Sequence, residues 1–572
     1  VVILAASGPA GHDAPCPLSA RELILAASCA ALLAVALTWP TTPRLATAGR
    51  VDSGDGRYSV WNVAWVAHAL STNPWRVFDA NIFYPHPSAL AFSEANLVAG
   101  ALATPAWMAT KSAIVASNVA ILASFTLTGF LTYLLARRFT SSVAGAAVAA
   151  IGFTGNPYAL SHVPHIQLLQ TYALPLVLLA MHAFVAGPSV ARAAWLGVSM
   201  ALAGLACGYY GVFGGLAAGL GAAWFGVAGG RARQWRYWAR ALLAPAVALV
   251  LIGPFFAPYL EVQEAGFVRS LDDARRYSAG WRDYLLSPMV VYRWAVPVIA
   301  PDGRWTDLLF PGIVLIVLAG LALWWARQSP DRTARSVVGY YVVLAVLSAW
   351  ASLGPSAGLY TLLADTLPVF DFLRAPSRFG VLVILSLALL SAWGAAAAER
   401  LAVVGRRRVV RAGLLAAVLL QSTAGPLALV EPPPLHAVHL RLATLPHGAV
   451  AELPYFVGPV LRHRHTEYML MSTFHWKPLL NGYSDHRPEE SIVDGRALGS
   501  FPSREAWLVL KRRGARYLVM HWRDFSAADQ SRLVLQTRAA RRELRPIVDD
   551  TEISLFEIVA WPRQIDEPAG RE

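Results

Sequence analysis

Residues 412–456 read AGLLAAVLLQSTAGPLALVEPPPLHAVHLRLATLPHGAVAELPYF. Up to Val430 this stretch holds no charged residue and is long enough to read as a membrane span. Glu431 and the prolines Pro432 to Pro434 end it, and charged and polar residues then return in the proportion of a soluble domain. Upstream, apolar runs of spanning length recur from Glu22 onward. The chain of 572 residues is 56% hydrophobic and 15% charged, with mean hydropathy +0.46. A soluble protein carries about a quarter charged residues. The sequence therefore predicts an α-helical polytopic membrane part, residues 1–430, followed by an α/β tail, residues 431–572.

A net charge of +13 would suggest a nucleic-acid partner in a soluble protein. Here the basic residues are almost all arginine and lie between apolar segments, so they report topology and nucleic acid is excluded. Arginines cluster at Arg137–Arg138, Arg231 to Arg240, Arg327 to Arg335 and Arg400 to Arg411. Placing all four clusters in the cytoplasm gives about eleven spans: 22–40, 113–136, 141–160, 167–187, 194–211, 213–230, 241–260, 306–326, 336–353, 379–399 and 412–430. The N-terminus is then inside and the tail outside. Asn96 to Thr110 covers roughly 22 Å of a ~30 Å core and contains Pro105, so it reads as re-entrant or interfacial. The opening VVILAA is too short for a signal-peptide core, which makes 22–40 an anchor. The cysteines are Cys16, Cys29 and Cys207, none in the tail, so the tail is not disulfide-stapled.

This topology gathers the polar residues of interest on one face. The first outer loop, 41–95, contains VDSGDGRYSVWNVAWVAHAL, in which Tyr58, Trp61, Trp65 and His68 recur every three or four residues. That spacing predicts an aromatic stripe on one helix face, lying at headgroup level. Asp55 falls near that helix's N-terminus, with Asp52 in the turn before it. Either Asp55 or Ser53 caps the helix, or Asp55 is a chemical group. The loop continues PWRVFDANIFYPHPSALAFSE, bringing Asp79, Tyr84, His86 and Glu94. Such carboxylates suit a general base or a divalent cation, Mg or Mn, though scaffold hydrogen bonding is the commoner use.

NPYALSHVPHIQ puts His162 and His165 at an outer membrane edge, as phosphate donors, metal ligands or interfacial anchors. VFDFLRAPSRFG puts Arg374 and Arg378 outside, where the positive-inside rule disfavours them. Spaced four apart, they suit a lipid-linked phosphate or else snorkel to headgroups. The loop EAGFVRSLDDARRYSAGWRDYL reads as amphipathic. In the tail, AVAELPYF, ARYLVMH and ISLFEIV read as strands and Arg504 to Arg513 as a helix. Between them His475, Trp476, Asn481, Tyr483 and Asp485 form a polar–aromatic cluster suited to facing the membrane site or a glycan. No nucleophile elbow, P-loop, dinucleotide fingerprint or HExxH is present.

The runs GDGRYSVWNVAWVAHAL, FDANIFYPHPSALAFSE, GNPYALSHVPHIQ and FLRAPSRFG, with HWKPLLNGYSDHRP in the tail, resemble bacterial membrane proteins of the GT-C glycosyltransferase class, near the YfhO-type and mannosyltransferase-like families. The resemblance covers most of the chain. It implies a bacterial inner-membrane protein whose partners are membrane lipid, a polyprenyl-phosphate-linked sugar and an envelope glycan, lipid or protein acceptor. It further implies an acid in the first outer loop, matched here by Asp55 with Asp52 behind it and Asp79 or Glu94 as second acids. Neither a DxD nor a DE pair stands there, so the metal remains open. On this reading Asp55 takes the acceptor's proton with inversion. Arg374, Arg378, His162 and His165 stabilise the leaving phosphate, Trp61 holds the loop at lipid depth, and His86, His475 and Tyr483 help bind substrate. A lipid or glycan transporter or flippase is the rival class; the midplane charges of an ion-coupled transporter are almost absent, His182 being the exception, while a flippase without coupling residues needs none. A non-catalytic assembly protein is the third reading.

Overall fold

The computed structural model describes residues 18–264, 266 and 269–563. The opening VVILAA and Cys16 lie outside the described residues, as do Ala265, Phe267 and Val268 of the stretch EAGFVRSLDDARRYSAGWRDYL. Eight described helices are long and apolar enough to cross a membrane: Ala20–Leu37, Ala113–Arg137, Val143–Ser161, Ile166–Ala186, Gly208–Ala228, Trp235–Glu264, Arg332–Ser352 and Pro376–Leu401. The chain is a multi-pass membrane protein. Two more expected spans fall on shorter apolar helices, Val190–Ala206 and Ile313–Gln328. The expected span 412–430 is not a single helix. Its helix starts inside the arginine cluster and runs Arg407–Gln421. Gly425, at φ 92°, and Pro426 then prevent continuation, and Val430 pairs through its backbone with Gly49. The segment expected to be re-entrant forms the helix Leu97–Thr110.

The chain packs as two compact units. The first contains the residues up to Pro43, Ala120–Ala257 and Gln263–Ala428. Its centre is the helix Gly380–Leu401, buried along nearly all its length against Val143–Thr154, Ile313–Gln328 and Arg332–Ser352. Close approach needs small residues: a Cβ on Gly394 would stand 1.9 Å from the carbonyl oxygen of Leu318. By contrast, Trp235–Glu264 leaves apolar side chains such as Leu249 and Val250 exposed, surface that a membrane covers. His182 is buried with Nε2 2.9 Å from the Tyr341 hydroxyl, a partnered interior histidine.

The second unit joins Arg44–Val119, Pro258–Val262 and Leu429–Glu572. Composition divides the chain at Glu431, whereas compactness groups most of the first outer loop with the tail. Its sheet contains β1 (Ala449–Leu453), β2 (Ala515–His521), β3 (Leu544–Val548) and β4 (Ile553–Ile558) in the order β1-β2-β4-β3, only β1 and β2 being parallel. Alternate residues enter two cores. Ala449, Ala451 and Leu453 pack with Trp507 and Leu510 of helix Arg504–Arg512. Val450, Tyr517 and Val519 pack with Val438 and Tyr468 on the opposite face. At the β1 edge, Val450 N–H donates to Pro478 and Leu480 N–H to Val450. The first loop then adds a further edge, Tyr84 N–H donating to Leu479 and Phe83 N–H to Asn481.

The aromatic stripe of helix Gly54–Thr72 does not lie open to headgroups. Trp61 is fully buried and its indole donates to Asn81 Oδ1 at 3.2 Å. Trp65 donates to the Val77 carbonyl at 2.8 Å and its ring meets Trp476 edge-on. Equal spacing marks an interior face as readily as a lipid face, and here the helix Leu97–Thr110 and tail residues such as Trp476 together supply the cover.

Candidate functional site

Two clusters of expected residues take shape, one in each unit. In the second unit the helix Gly54–Thr72 is capped by Ser53, whose hydroxyl accepts Gly56 N–H at 3.1 Å. Capping is thus done without Asp55, which stands exposed in the first turn, where the helix N-terminus favours a carboxylate. Gly56 has to be glycine, because a Cβ there would lie 2.0 Å from the Arg50 carbonyl oxygen. Asp55 Oδ1 accepts the Tyr483 hydroxyl at 3.0 Å. The Arg462 guanidinium lies 5.8 Å over the Tyr483 ring, and Tyr58 meets that ring edge-on. Burial, then the charge and hydrogen bond of Asp55, push the Tyr483 phenol up, so it stays a donor. Burial pushes Tyr58 up to about 12. Arg57 ties the same helix end to the tail, its Nε donating to Thr466 at 3.0 Å.

The other first-loop acids have partners of their own. Asp52 receives Arg50 on both oxygens, at 3.0 and 3.1 Å. Asp79 takes Arg76 at 2.8 Å and Ser88 N–H at 3.2 Å, which fixes the loop. Glu94 offers its main-chain carbonyl to the Asn62 and Asn96 amides. His86 is half-buried beside Phe92, and burial lowers its pKa. Among the described residues these acids form no group of three spaced to hold a metal; the one such group is His439, Glu452 and His475.

In the first unit, Arg374 and Arg378 rest on tyrosine faces. Arg378 lies 4.3 Å over the Tyr209 ring and Arg374 5.4 Å over Tyr277. The Tyr209 hydroxyl accepts the backbone N–H groups of Arg374 and Ala375, at 2.9 and 3.2 Å. These guanidiniums are therefore placed by the protein, unlike snorkelling side chains. His162 donates Nδ1–H to the Tyr158 carbonyl at 2.8 Å, and its ring lies 5.8 Å from that of His165. His162 Nε2 stands 3.3 Å from Asp307 Oδ1 without the alignment of a hydrogen bond. Burial pushes Asp307 up to about 6 against the pull of Ser377 and Arg378, and pushes His162 down to about 3. The Arg378 guanidinium acts on both His162 and Asp307, and a guanidinium with imidazoles and one buried carboxyl makes a set suited to an anion.

Sequence reading missed Asp307 and Asn81. Asp307 stands alone before an apolar run, and its only signal is a carboxylate next to a span. Asn81 accepts Trp61 and donates to Ser472 and Lys477, a hub that no periodicity marks.

No family model matches the chain, and no curated protein does. Among solved structures, ArnT from Cupriavidus metallidurans bound to undecaprenyl phosphate is 14% identical, over 95% of this chain and 99% of that one, with TM-score 0.49. The oligosaccharyltransferase AglB of Archaeoglobus fulgidus, in complex with an inhibitory peptide and a dolichol-phosphate, is 14% identical over 87% of this chain and 69% of that one, with TM-score 0.44. At TM-scores below 0.5 these likenesses assign neither fold nor activity.

Proposed function

We propose that this chain is a GT-C-class glycosyltransferase that moves a sugar from a polyprenyl phosphate to an extracytoplasmic envelope acceptor. The observation that carries the reading is Asp55: an exposed carboxylate, relieved of capping by Ser53 and oriented by the Tyr483 hydroxyl at 3.0 Å. Such a group accepts the proton of an attacking hydroxyl as the bond to the anomeric carbon forms. The glycosidic bond to phosphate breaks on the opposite side, which inverts the centre. Negative charge develops on the departing phosphate, and a cationic group is what the step needs to meet it. Asp52 and Asp79 are each engaged by an arginine, and among the described residues no group of three acids or histidines that includes Asp55 is spaced to hold an ion. No step is assigned to such an ion. The sequence motifs further support membership near the YfhO-type set, in a bacterial inner membrane with the tail outside.

The test compares envelope glycolipids and glycans from wild type, a deletion strain and Asp55→Asn at normal expression. The expected result is that deletion and Asp55→Asn lose the same glycosylated species. An Asp55→Asn strain indistinguishable from wild type, beside a deletion that loses the species, would refute Asp55 as the base.

A further inference from the structure

On the sheet face that carries Val450 and Val519, buried titratable groups converge away from Asp55. Glu452 of β1 and His521 of β2 meet through Oε2 and Nε2 at 2.6 Å. Helix Ala437–Thr444 brings His439 over them, and the turn after helix His465–Ser472 brings His475. His439 and Glu452 are 1% and 0% exposed. One ligand atom from each of His439, Glu452 and His475 lies within 4.8 Å of the others. His439 Nδ1, Glu452 Oε1 and His475 Nε2 are all buried with no hydrogen-bond partner. Buried polar atoms are nearly always satisfied, so three orphans at one spot point to a missing occupant. The transfer step proposed above assigns none of the three a role, and their burial takes His475 out of the substrate-binding set expected from sequence.

We propose that His439, Glu452 and His475 bind a divalent transition ion of the zinc class. Two imidazoles and one carboxylate are its ordinary ligands, whereas Mg and Ca take oxygen sets. His521, on the other oxygen of Glu452, orients that carboxylate from behind. His475 Nδ1 accepts Lys477 N–H at 3.0 Å, which places the ring proton on Nε2. Ion binding through Nε2 moves that proton to Nδ1 and exchanges one N–H···N contact for a metal–nitrogen bond. An ion with bonds of about 2.1 Å holds tetrahedral ligands about 3.4 Å apart, so closure draws the side chains together slightly. The ion would clip the helix, the β1 strand and the 473–478 turn together.

The rival occupant is a water that accepts from His475 and donates to His439 and Glu452. The experiment uses the full chain in detergent, with an affinity tag free of histidine. Ion content is measured by mass spectrometry, and Tm is followed on chelation and on adding back Zn²⁺ or Mg²⁺. The expected results are one zinc-class ion per chain, a Tm lowered by chelation, and recovery with Zn²⁺ but not Mg²⁺. In His439→Gln and Glu452→Gln, ion content falls roughly tenfold or more. Wild type that carries no such ion and whose Tm ignores added Zn²⁺ overturns the proposal and assigns the spot to water. Because the wild-type arm needs no substitution, a variant that fails to fold leaves the test intact.

Discussion

Ser53 and Asp55 stand two residues apart, yet the helix uses one for capping and leaves the other to face solvent. Sequence alone allowed either assignment, because both residue types cap helices and only hydroxyl geometry separates them. His465 shows a second thing that composition hides. It is 1% exposed, accepting from the Asn481 amide at 3.3 Å and donating to the Phe456 carbonyl at 3.0 Å, so its ring is neutral. Burial lowers its pKa to about 3, whereas unfolded histidine titrates near ~6.5. The lowered value means that its stability contribution is complete above pH 6.5 and is lost as pH falls. The expected slope is about 1.4 kcal/mol per pH unit below that point. Melting of wild type and His465→Gln between pH 7 and 5 checks this, the variant being the less pH-sensitive of the two.

Among elements, the tail strands β1, β2 and β4 were readable because each is a short apolar run bounded by turns. β3 was not readable, since LRPIV carries an arginine and a proline on an edge. The stripe of Tyr58, Trp61 and Trp65 picked out no single buried face, because residues 59–67 are buried all round the helix, and part of that cover, Trp476, lies far along the chain. Residues 412–430 misled because hydropathy records apolarity and is blind to Gly425 at φ 92°. Helix packing in the first unit makes a sharper prediction. Gly394→Val places atoms where the Leu318 carbonyl already stands, forcing Gly380–Leu401 away from Ile313–Gln328. The expected loss is about 1–3 kcal/mol or more, read as lower Tm and lower yield in membranes. Gly219→Ala, where nothing lies within 4 Å, is the matched control.

For the whole molecule, the arginine clusters assign sides that the eight apolar helices by themselves do not. With the native cysteines replaced, Ser531→Cys, exposed in the tail, reports the side directly. A membrane-impermeant thiol reagent is expected to label it in intact spheroplasts. Labelling only after permeabilisation would reverse the topology. What stayed illegible at this scale was the partnership of residues 44–119 with the tail, since no local pattern announces a contact made hundreds of residues later.

That partnership governs how the protein is made. Asn81 donates to Ser472, 391 positions downstream. At ~5–20 residues per second, a ribosome needs roughly 20–80 s to travel between them. Throughout that interval the nascent first loop carries Trp61 and Trp65 without the tail's share of their cover, so it depends on a holdase or on the membrane surface for shelter. A message broken before the tail codons yields a first loop whose helix Gly54–Thr72 keeps its packing on Leu97–Thr110 but lacks the cover of Trp476 and the tie to Thr466.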